Sequence, residues 1–243
     1  IRIFSIEYER IKSIMAYTGI NKSTANFNTK LYTGNGGTNA QTGVGFKPDF
    51  TWIKQRVSSG YNHALFDVVR GATKVLQSNL TVAERTLSDS LTAFGSDGFT
   101  LGADGDGTYG NTVNQNTKSY CSWNWKAGTA VSGNTTGAGT YKAYSGSVNT
   151  TSGFSIIKYI GNGASGHTIP HRLGVAPKMF IVKSTTVTDD GWYVYNKAYD
   201  ASNNKYQRME VAGGLGAGSA LWNSTAPTTS TISLGNSTGT NSN

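Results

Sequence analysis

Charged residues and cysteine are both scarce in this sequence. Asp, Glu, Lys and Arg together make up 14% of the 243 residues, against about 25% in a typical soluble domain. Cys121 is the only cysteine, which excludes an intramolecular disulfide framework. We interpret Cys121 as a small buried residue, because its sequence neighbours supply neither the base nor the activating charge that a catalytic thiol needs.

Long apolar runs and acidic residues are scarce as well. No stretch reaches the roughly 18 apolar residues of a membrane-spanning helix, so the sequence predicts no membrane span. Only 13 residues are acidic, and many occupy turn positions, which argues against the paired carboxylates of a glycosidase. We therefore expect a protein that is not an enzyme. The formal charge of +8 is scattered without a basic run, and we expect no nucleic-acid partner.

Turn-forming and strand-forming residues take the place of charge. The 31 glycines and the many asparagines supply turns, whereas threonine and the aromatic residues, 11% of the chain, favour strands. This mixture predicts an all-β fold of many short strands, either a β-sandwich or a jelly roll, without a long helix. The strands predicted in the first half are 25–32, 50–55, 64–69, 78–81, 99–101 and 120–126.

The chain contains an internal repeat. The motif Tyr-x-Gly-Asn-Gly occurs at residues 32–36 and again at 159–163. The motif Gly-x-x-Pro, followed by an apolar strand that ends at lysine, occurs at 45–54 and again at 174–183. The first pair is offset by 127 residues and the second by 129. The sequence therefore predicts two related modules that differ by two residues in one loop.

The repeat divides the chain into four parts. We predict an N-terminal extension or arm at 1–14, a first β-sandwich module at 15–128, a Gly/Ser/Thr/Asn-rich linker at 129–151 and a second, related module at 152–243. The second copy has no counterpart of the aromatic strand at 120–126. Either the chain continues beyond the given residues, or a partner supplies this strand by β-augmentation.

Long motifs of the first copy resemble a known family. The residues that carry the resemblance are 27–36, 43–54, 65–71, 96–102 and 123–128. Together they look like a family of tail-fibre-like or virion structural proteins from marine phages, and the resemblance covers most of residues 15–235. It implies lectin-like, jelly-roll β-sandwich modules and a location on the virion surface. It supplies no known binding residue to carry over.

Two pairs of residues are candidate binding sites. Trp123 and Trp125 alternate along a predicted strand and so share one face, where their rings could stack on a glycan; packing against a facing sheet is the alternative. Asp104 and Asp106 alternate in a Gly-rich loop, a spacing that oxygen ligands of calcium use, although two Asp-Gly turns explain it equally. We expect no other cofactor.

Three functions are compatible with these patterns. The first is a non-enzymatic structural protein on the virion surface, a fibre, appendage or decoration subunit that contacts other virion proteins and forms homo-oligomers. The second is a receptor-binding adhesin that recognises a host surface glycan. The third is an enzyme that trims surface polysaccharide, which the scarcity of acids disfavours. The first two share a fold, so the sequence alone does not separate them.

Overall fold

The structure, a computed structural model, describes Ile20 and residues 22–57, 60–105 and 113–243. The predicted arm at residues 1–14 lies outside these residues. The described part is nearly all β, with every strand pairing antiparallel, which confirms the predicted all-β sandwich fold. None of the described helices has the length and apolar character to cross a membrane.

The first sandwich consists of two sheets. The larger sheet has the strand order β1-β9-β3-β4-β5-β6 and the smaller one β2-β8-β7. A short 3-10 helix (Ser23–Ala25) precedes the first strand. The strands are β1 (Phe27–Thr33), β2 (Asn39–Gln41), β3 (Phe50–Gln55), β4 (Ala64–Asp67), β5 (Gly71–Leu76), β6 (Arg85–Thr86), β7 (Leu91–Gly95), β8 (Gly98–Leu101) and β9 (Ser119–Trp125).

The core of this sandwich lies between the two sheets. Alternate residues of β3 face it, so Thr51, Ile53 and Gln55 are buried whereas the residues between them are half-buried. Phe99 of the smaller sheet packs edge-on against Tyr32 of the larger one, with ring centroids 6.2 Å apart. Apolar side chains of both sheets thus form one continuous cluster, and removing their surface from water stabilises the module.

The second sandwich is built from three small sheets, with orders β10-β12-β13, β11-β14-β19 and β15-β16-β17-β18. Its core contains Tyr195 and Trp222, both fully buried. The elements are β10 (Thr129–Asn134), β11 (Thr136–Gly137), β12 (Ala143–Asn149), β13 (Phe154–Tyr159), β14 (His167–Pro170), β15 (Met179–Lys183), β16 (Trp192–Asn196), β17 (Lys205–Arg208), β18 (Gly216–Ala217), α1 (Ser219–Trp222), β19 (Thr231–Leu234) and α2 (Thr238–Asn241).

A buried asparagine closes the Tyr-x-Gly-Asn-Gly loop of the first module. The Asn114 side chain is fully buried, and its Nδ2 donates to the carbonyls of Gly37 and Gly102 at 2.7 and 2.6 Å. Its Oδ1 accepts the Asn35 N–H at 3.1 Å. Because one side chain satisfies several backbone groups of the loop and of the strand end beside it, the loop is fixed against the sandwich.

The second module repeats this arrangement with Asn241. Its Nδ2 donates to the carbonyls of Ala164 and Gly235 at 2.9 and 2.7 Å, and its Oδ1 accepts the Asn162 N–H at 3.0 Å. Asn241 lies 127 residues after Asn114, the same offset as the loop motif. We call each arrangement an asparagine clamp. The two clamps show that the repeat in sequence is also a repeat in structure.

Two stretches differ from their predicted structure. The predicted linker at 129–151 forms β10, β11 and β12, and β12 pairs with β13 from Tyr144 to Asn149. The short strand predicted at 78–81 is absent; turns occupy these residues, and β5, β6 and β7 flank them instead. Small and polar residues populate the missed strands, so their composition resembles that of loops although tertiary pairing holds them extended.

The two modules pack tightly against each other. The Asp49 carboxylate of the first module accepts the Ser147 hydroxyl of β12 at 3.0 Å. On another side, the buried Trp192 of the second module lies against Leu65 and Leu76 of the first. The Trp192 indole N–H donates to the Gln77 and Leu80 carbonyls at 3.0 and 3.1 Å. The junction is therefore made of buried contacts rather than of a free linker.

Candidate functional site

The outer face of the larger first-module sheet carries the candidate glycan-binding residues. This face points away from the smaller sheet. Trp123 and Trp125 lie on it, both half-buried, whereas Asn124 between them points inward and is fully buried. Inside, the Asn124 Oδ1 accepts the Thr51 hydroxyl at 3.0 Å. The alternation of β9 thus places the two indole rings side by side on one surface.

Trp125 belongs to the module junction. Its ring lies 4.8 Å from that of Phe27 and 5.3 Å from that of Phe50, both tilted. Phe154, at the start of β13 in the second module, stacks on it at 6.0 Å with an interplanar angle of 21°. Three aromatic neighbours therefore cover Trp125. The ring has little face left for a ligand.

Trp123 is covered less. The ring contact that the structure gives it is with Trp52, at 6.2 Å and edge-on. Its other cross-strand neighbour is Thr29 of β1, a strand whose outer residues include the exposed Leu31. An indole with one edge-on neighbour retains a π-face on which a sugar ring could stack. Of the two predicted tryptophans, Trp123 is the better placed for that role.

A histidine lies beside this indole pair. The Trp52 indole N–H donates to the His63 Nδ1 at 2.8 Å. Since Nδ1 accepts, the neutral imidazole carries its proton on Nε2, which makes Nε2 a donor. Burial lowers the pKa of His63, and the nearby positive charge of Lys54 lowers it further. The face therefore combines aromatic rings with one neutral donor, a combination that suits hydroxyl groups.

Cys121 lies on the same face, two residues before Trp123 in β9. It is half-buried, and burial raises the pKa of its thiol, partly opposed by the charge of Arg56. A raised pKa lowers the thiolate fraction and with it the nucleophilicity. The thiol is thus less often ionised than a free cysteine at the same pH.

Asp104, one of the two predicted calcium ligands, is held by donors from the protein. Its Oδ1 accepts the Ser90 hydroxyl at 2.8 Å, and its Oδ2 accepts the N–H groups of Val113 and Asn114 at 3.0 and 2.9 Å. Burial raises the pKa of Asp104 against these donors. The carboxylate thus holds the backbone N–H groups of Val113 and of the clamp residue Asn114. Asp106 lies outside the described residues, so calcium binding by the pair stays a prediction.

The histidines of the second module are also bound within the fold. The His167 Nδ1 is 2.8 Å from the Asn241 Oδ1 of the clamp. The His171 Nε2 lies 3.2 Å from the Thr228 carbonyl, and burial lowers the His171 pKa. Within residues 22–57, 60–105 and 113–243, no group of three His, Cys, Asp or Glu side chains is arranged to hold a metal ion.

An open cleft lies where the modules meet, with a volume of about 510 Å³. Lys47 and Asp49 line it from the first module, and small residues of β10 and β12 line it from the second. The Asp49 carboxylate is already occupied, since it accepts the Ala127 N–H at 3.0 Å as well as the Ser147 hydroxyl. Apart from Lys47 and Asp49, the residues that line the cleft carry no charge.

The comparisons with known proteins give one match. The sequence profile of a family described as a domain of unknown function, DUF7483, matches residues 22–243. The chain belongs to the DUF7483 family. No curated protein and no solved structure matches it. The DUF7483 match begins just before β1 and spans both sandwiches, so the family unit is the tandem and not the single module.

DUF7483 membership indicates no chemistry, and the resemblance to phage virion proteins stays a prediction.

The residues that sequence reasoning missed are the partners of the tryptophans. Phe154 lies 29 residues beyond Trp125, in the other module, and no local pattern links the two. The contact of His63 with Trp52 could not be predicted either. It depends on the register in which β3 pairs with β4, and the sequence does not give that register.

Proposed function

We propose that this chain is a non-enzymatic structural protein of a phage virion surface, a subunit of a fibre, an appendage or a capsid decoration. The observation that carries the proposal is the junction, which binds two sandwiches into one body. A surface subunit must keep its shape under shear and outside the cell. A tandem with buried interdomain contacts meets that requirement better than one with a mobile linker.

The junction contacts come from several separate parts of both modules. Aromatic stacking joins Trp125 to Phe154, and the Asp49 carboxylate binds the Ser147 hydroxyl. Further along, the Glu84 N–H donates to the Thr185 carbonyl at 2.9 Å. The Glu84–Thr185 hydrogen bond is made by different segments from those of the other two contacts, so the modules are joined through more than one part of each. The arrangement supports a rigid spacer that presents a surface to virion neighbours or to further copies of itself.

Immunogold labelling of intact phage particles tests the proposal. Antibody raised against the folded chain should place gold on the particle surface, over fibres, tail ends or capsid. Particles produced without the gene are the control and should carry no gold. Absence of gold from particles whose lysate contains the protein would overturn the virion assignment.

A second function is favoured by one observation. The indole of Trp123 has a face that no aromatic ring of the described residues covers, and it lies near the neutral His63. On this hypothesis the protein is an adhesin that binds a host surface glycan. Replacing the indole by Trp123→Ala should then weaken binding about tenfold to hundredfold, if a sugar ring stacks on the indole as strongly as a nucleic-acid base, which contributes about 1–3 kcal/mol. Binding is measured on purified host envelope glycans.

The matched control for that experiment is Tyr141→Ala, which removes an aromatic residue that is 60% exposed on the other module. It should leave glycan binding unchanged. Saturable binding that Trp123→Ala weakens by at least about tenfold would favour the adhesin. Binding that survives the substitution, in a variant with an unchanged circular dichroism spectrum, would rule out this face.

A further inference from the structure

The uncovered part of the outer sheet face carries two positive charges beside Trp123. Lys54 of β3 and Arg56, just beyond the end of that strand, continue the outward alternation of β3. In the register of the sheet, Cys121 lies directly beside Lys54. The Arg56 N–H donates to the Ser119 carbonyl at 2.8 Å. We call this part of the face, from Trp123 to Ser119 on β9 with Lys54 and Arg56 next to it, the open strip.

No acidic residue of the surrounding strands balances these charges. The segments that form this part of the sheet contain neither Asp nor Glu; they are residues 27–33, 50–56 and 119–125. Asp67, on the neighbouring strand β4, is already paired with Arg70. Among the residues that the structure describes, Lys54 and Arg56 form no ion pair. The open strip is therefore positively charged.

Both cations have donors to offer to a ligand. An ammonium group has three N–H donors and a guanidinium group has five. The Lys54 Nζ donates to the Gln55 carbonyl at 3.3 Å, which uses one of its three, and Arg56 is exposed. Hydrogen bonds from such groups are strongest to carboxylate and phosphate oxygens. The charge of the open strip thus favours an anionic ligand.

The second module borders the open strip and limits its size. Phe154 stacks on Trp125 at one end. Along a second side, Trp192 and Met209 belong to the apolar cluster against which Trp52 packs. What stays uncovered on β1, β9 and β3 is about four residues long and three strands wide, roughly 200 Å². A stable interface with a folded protein needs about 800 Å² on each partner, so a narrow, extended ligand fits better.

One ligand can contact the indole and both cations. Trp52 is the direct cross-strand neighbour of Trp123, so Lys54 is its diagonal neighbour, about 7–8 Å away and within reach of a long side chain. A sugar ring stacked on Trp123 turns its substituents sideways, toward Lys54. Arg56 lies one row further along, where the next ring of the same chain would lie. A chain of acidic sugars therefore uses the indole and both charges, whereas a neutral chain uses only the indole and neutral donors.

We propose that the open strip binds an acidic polysaccharide, whose sugar rings carry carboxylate or phosphate groups. Trp123 stacks on one ring, and Lys54 and Arg56 bind the acidic groups of that ring and of the next. The proposal rests on the adhesin hypothesis and specifies the class of glycan. The two differ in outcome, because a neutral glycan bound through Trp123 would support the adhesin and contradict the acidic ligand.

Two matched pairs of polymers test the charge of the ligand on the intact chain. The first pair is polygalacturonate and its carboxyl-reduced product, a neutral galactan with the same linkages. The second pair is phosphomannan and the dephosphorylated mannan, which distinguishes phosphate from carboxylate. In biolayer interferometry at low salt, we expect saturable binding to at least one acidic polymer, at least about tenfold tighter than to its neutral counterpart. The difference should shrink at high salt, because salt screens exposed charges.

Substitutions in the protein test whether the open strip is the site. Lys54→Gln and Arg56→Gln should each weaken binding of the acidic polymer about tenfold, the effect of one lost hydrogen bond between charged groups. Binding of the neutral polymer should not change. The matched control is Lys178→Gln, which removes the same charge from an exposed residue just before β15 and should leave all binding unchanged. Circular dichroism and the urea midpoint confirm that each variant folds as the wild type does.

Four results would overturn the proposal. The first is equal affinity for the acidic and neutral polymers, and the second is an equal loss in Lys178→Gln. The third is no binding to any of the polymers. The fourth is tighter binding to single-stranded oligo(dT) than to either acidic polymer, because nucleic acid also combines stacking with negative charge. If the first result came with loss of binding in Trp123→Ala, the adhesin hypothesis would stand and only its acidic ligand would fall.

Discussion

At the scale of single residues, the side chains of Asn114 and Asn241 hold the Tyr-x-Gly-Asn-Gly loops of the two modules by hydrogen bonds. Replacing Asn114 by alanine leaves the Gly37 and Gly102 carbonyls without their donor in the interior. Each such unmade bond costs about 1–3 kcal/mol, so we expect Asn114→Ala to lower the free energy of unfolding by about 3 kcal/mol. Urea denaturation followed by tryptophan fluorescence measures the loss.

Asn116 provides the control for this substitution. It lies two residues further along and is exposed, so Asn116→Ala should change the free energy of unfolding by less than about 0.5 kcal/mol. If both variants lost a comparable free energy of unfolding, the loss would not be specific to the hydrogen bonds of the clamp.

The stability of the first module should also depend on pH through His63. Burial lowers the pKa of His63 in the folded protein, so the unfolded chain binds a proton first as the pH falls below about 6.5. Stability is therefore full above that pH and declines from there toward the lower folded pKa. His171 shifts in the same direction and contributes a similar decline.

The variant His63→Gln isolates the part that belongs to His63. Glutamine can still accept the Trp52 indole N–H but does not titrate. We expect the urea midpoint of the variant to fall less than that of the wild type between pH 7 and pH 5. Identical declines in the two proteins would show that His63 is free to become protonated in the folded state.

At the scale of elements, the sheet β10-β12-β13 depends on the close packing of Gly146 in β12 against Ile156 and Ile157 in β13. A Cβ added to Gly146 would lie 2.4 Å from the Ile156 carbonyl oxygen and 2.5 Å from the Ile157 Cδ1. Gly146→Ala must therefore push β12 away from β13. We expect a loss of about 1–3 kcal/mol in the free energy of unfolding.

Gly214→Ala is the matched substitution, since a Cβ there meets no atom within 4 Å. It should leave the stability within about 0.5 kcal/mol of the wild type. If both alanine variants unfolded at the wild-type urea concentration, the pairing of β12 with β13 would be looser than the structure has it.

Gly146 also explains what the sequence could and could not predict. The strand β3 has the bounds that its apolar pattern predicted, because alternate residues of it are buried between two sheets. The strand β15 ends at the predicted lysine, although only Val182 of its residues is buried. The strands of 129–151 were missed, since close packing requires glycine and serine there, and these residues also compose loops. The position of Trp125 against Phe154 depends on how the modules meet, which no local pattern encodes.

At the scale of the whole molecule, the junction should make the two sandwiches unfold together. Trp192 is central to it, because its buried ring lies against Leu65 and Leu76 and its N–H donates to two carbonyls of the other module. The wild type should unfold in one transition, seen at the same urea concentration by fluorescence and by circular dichroism. Trp192→Ala should separate this into two transitions.

The control is Tyr199→Ala, which removes an aromatic side chain that is 57% exposed and should leave a single transition. Two transitions in the wild type would mean that the junction adds little to stability. In that case the rigid-spacer argument for a structural role would lose its main support.

The central position of β9 has a consequence for how the protein is made. On a ribosome the N-terminal residues emerge first, yet β1, which begins at Phe27, must wait for Trp125 before its sheet neighbour exists. At about 5–20 residues per second, the ribosome needs several seconds to add the intervening residues. During that time the edges of β1 and β3 stand open beside the nascent chains of neighbouring ribosomes. Slow translation between β8 and β9 should therefore reduce the yield of native protein, whereas a pause after β9 should not.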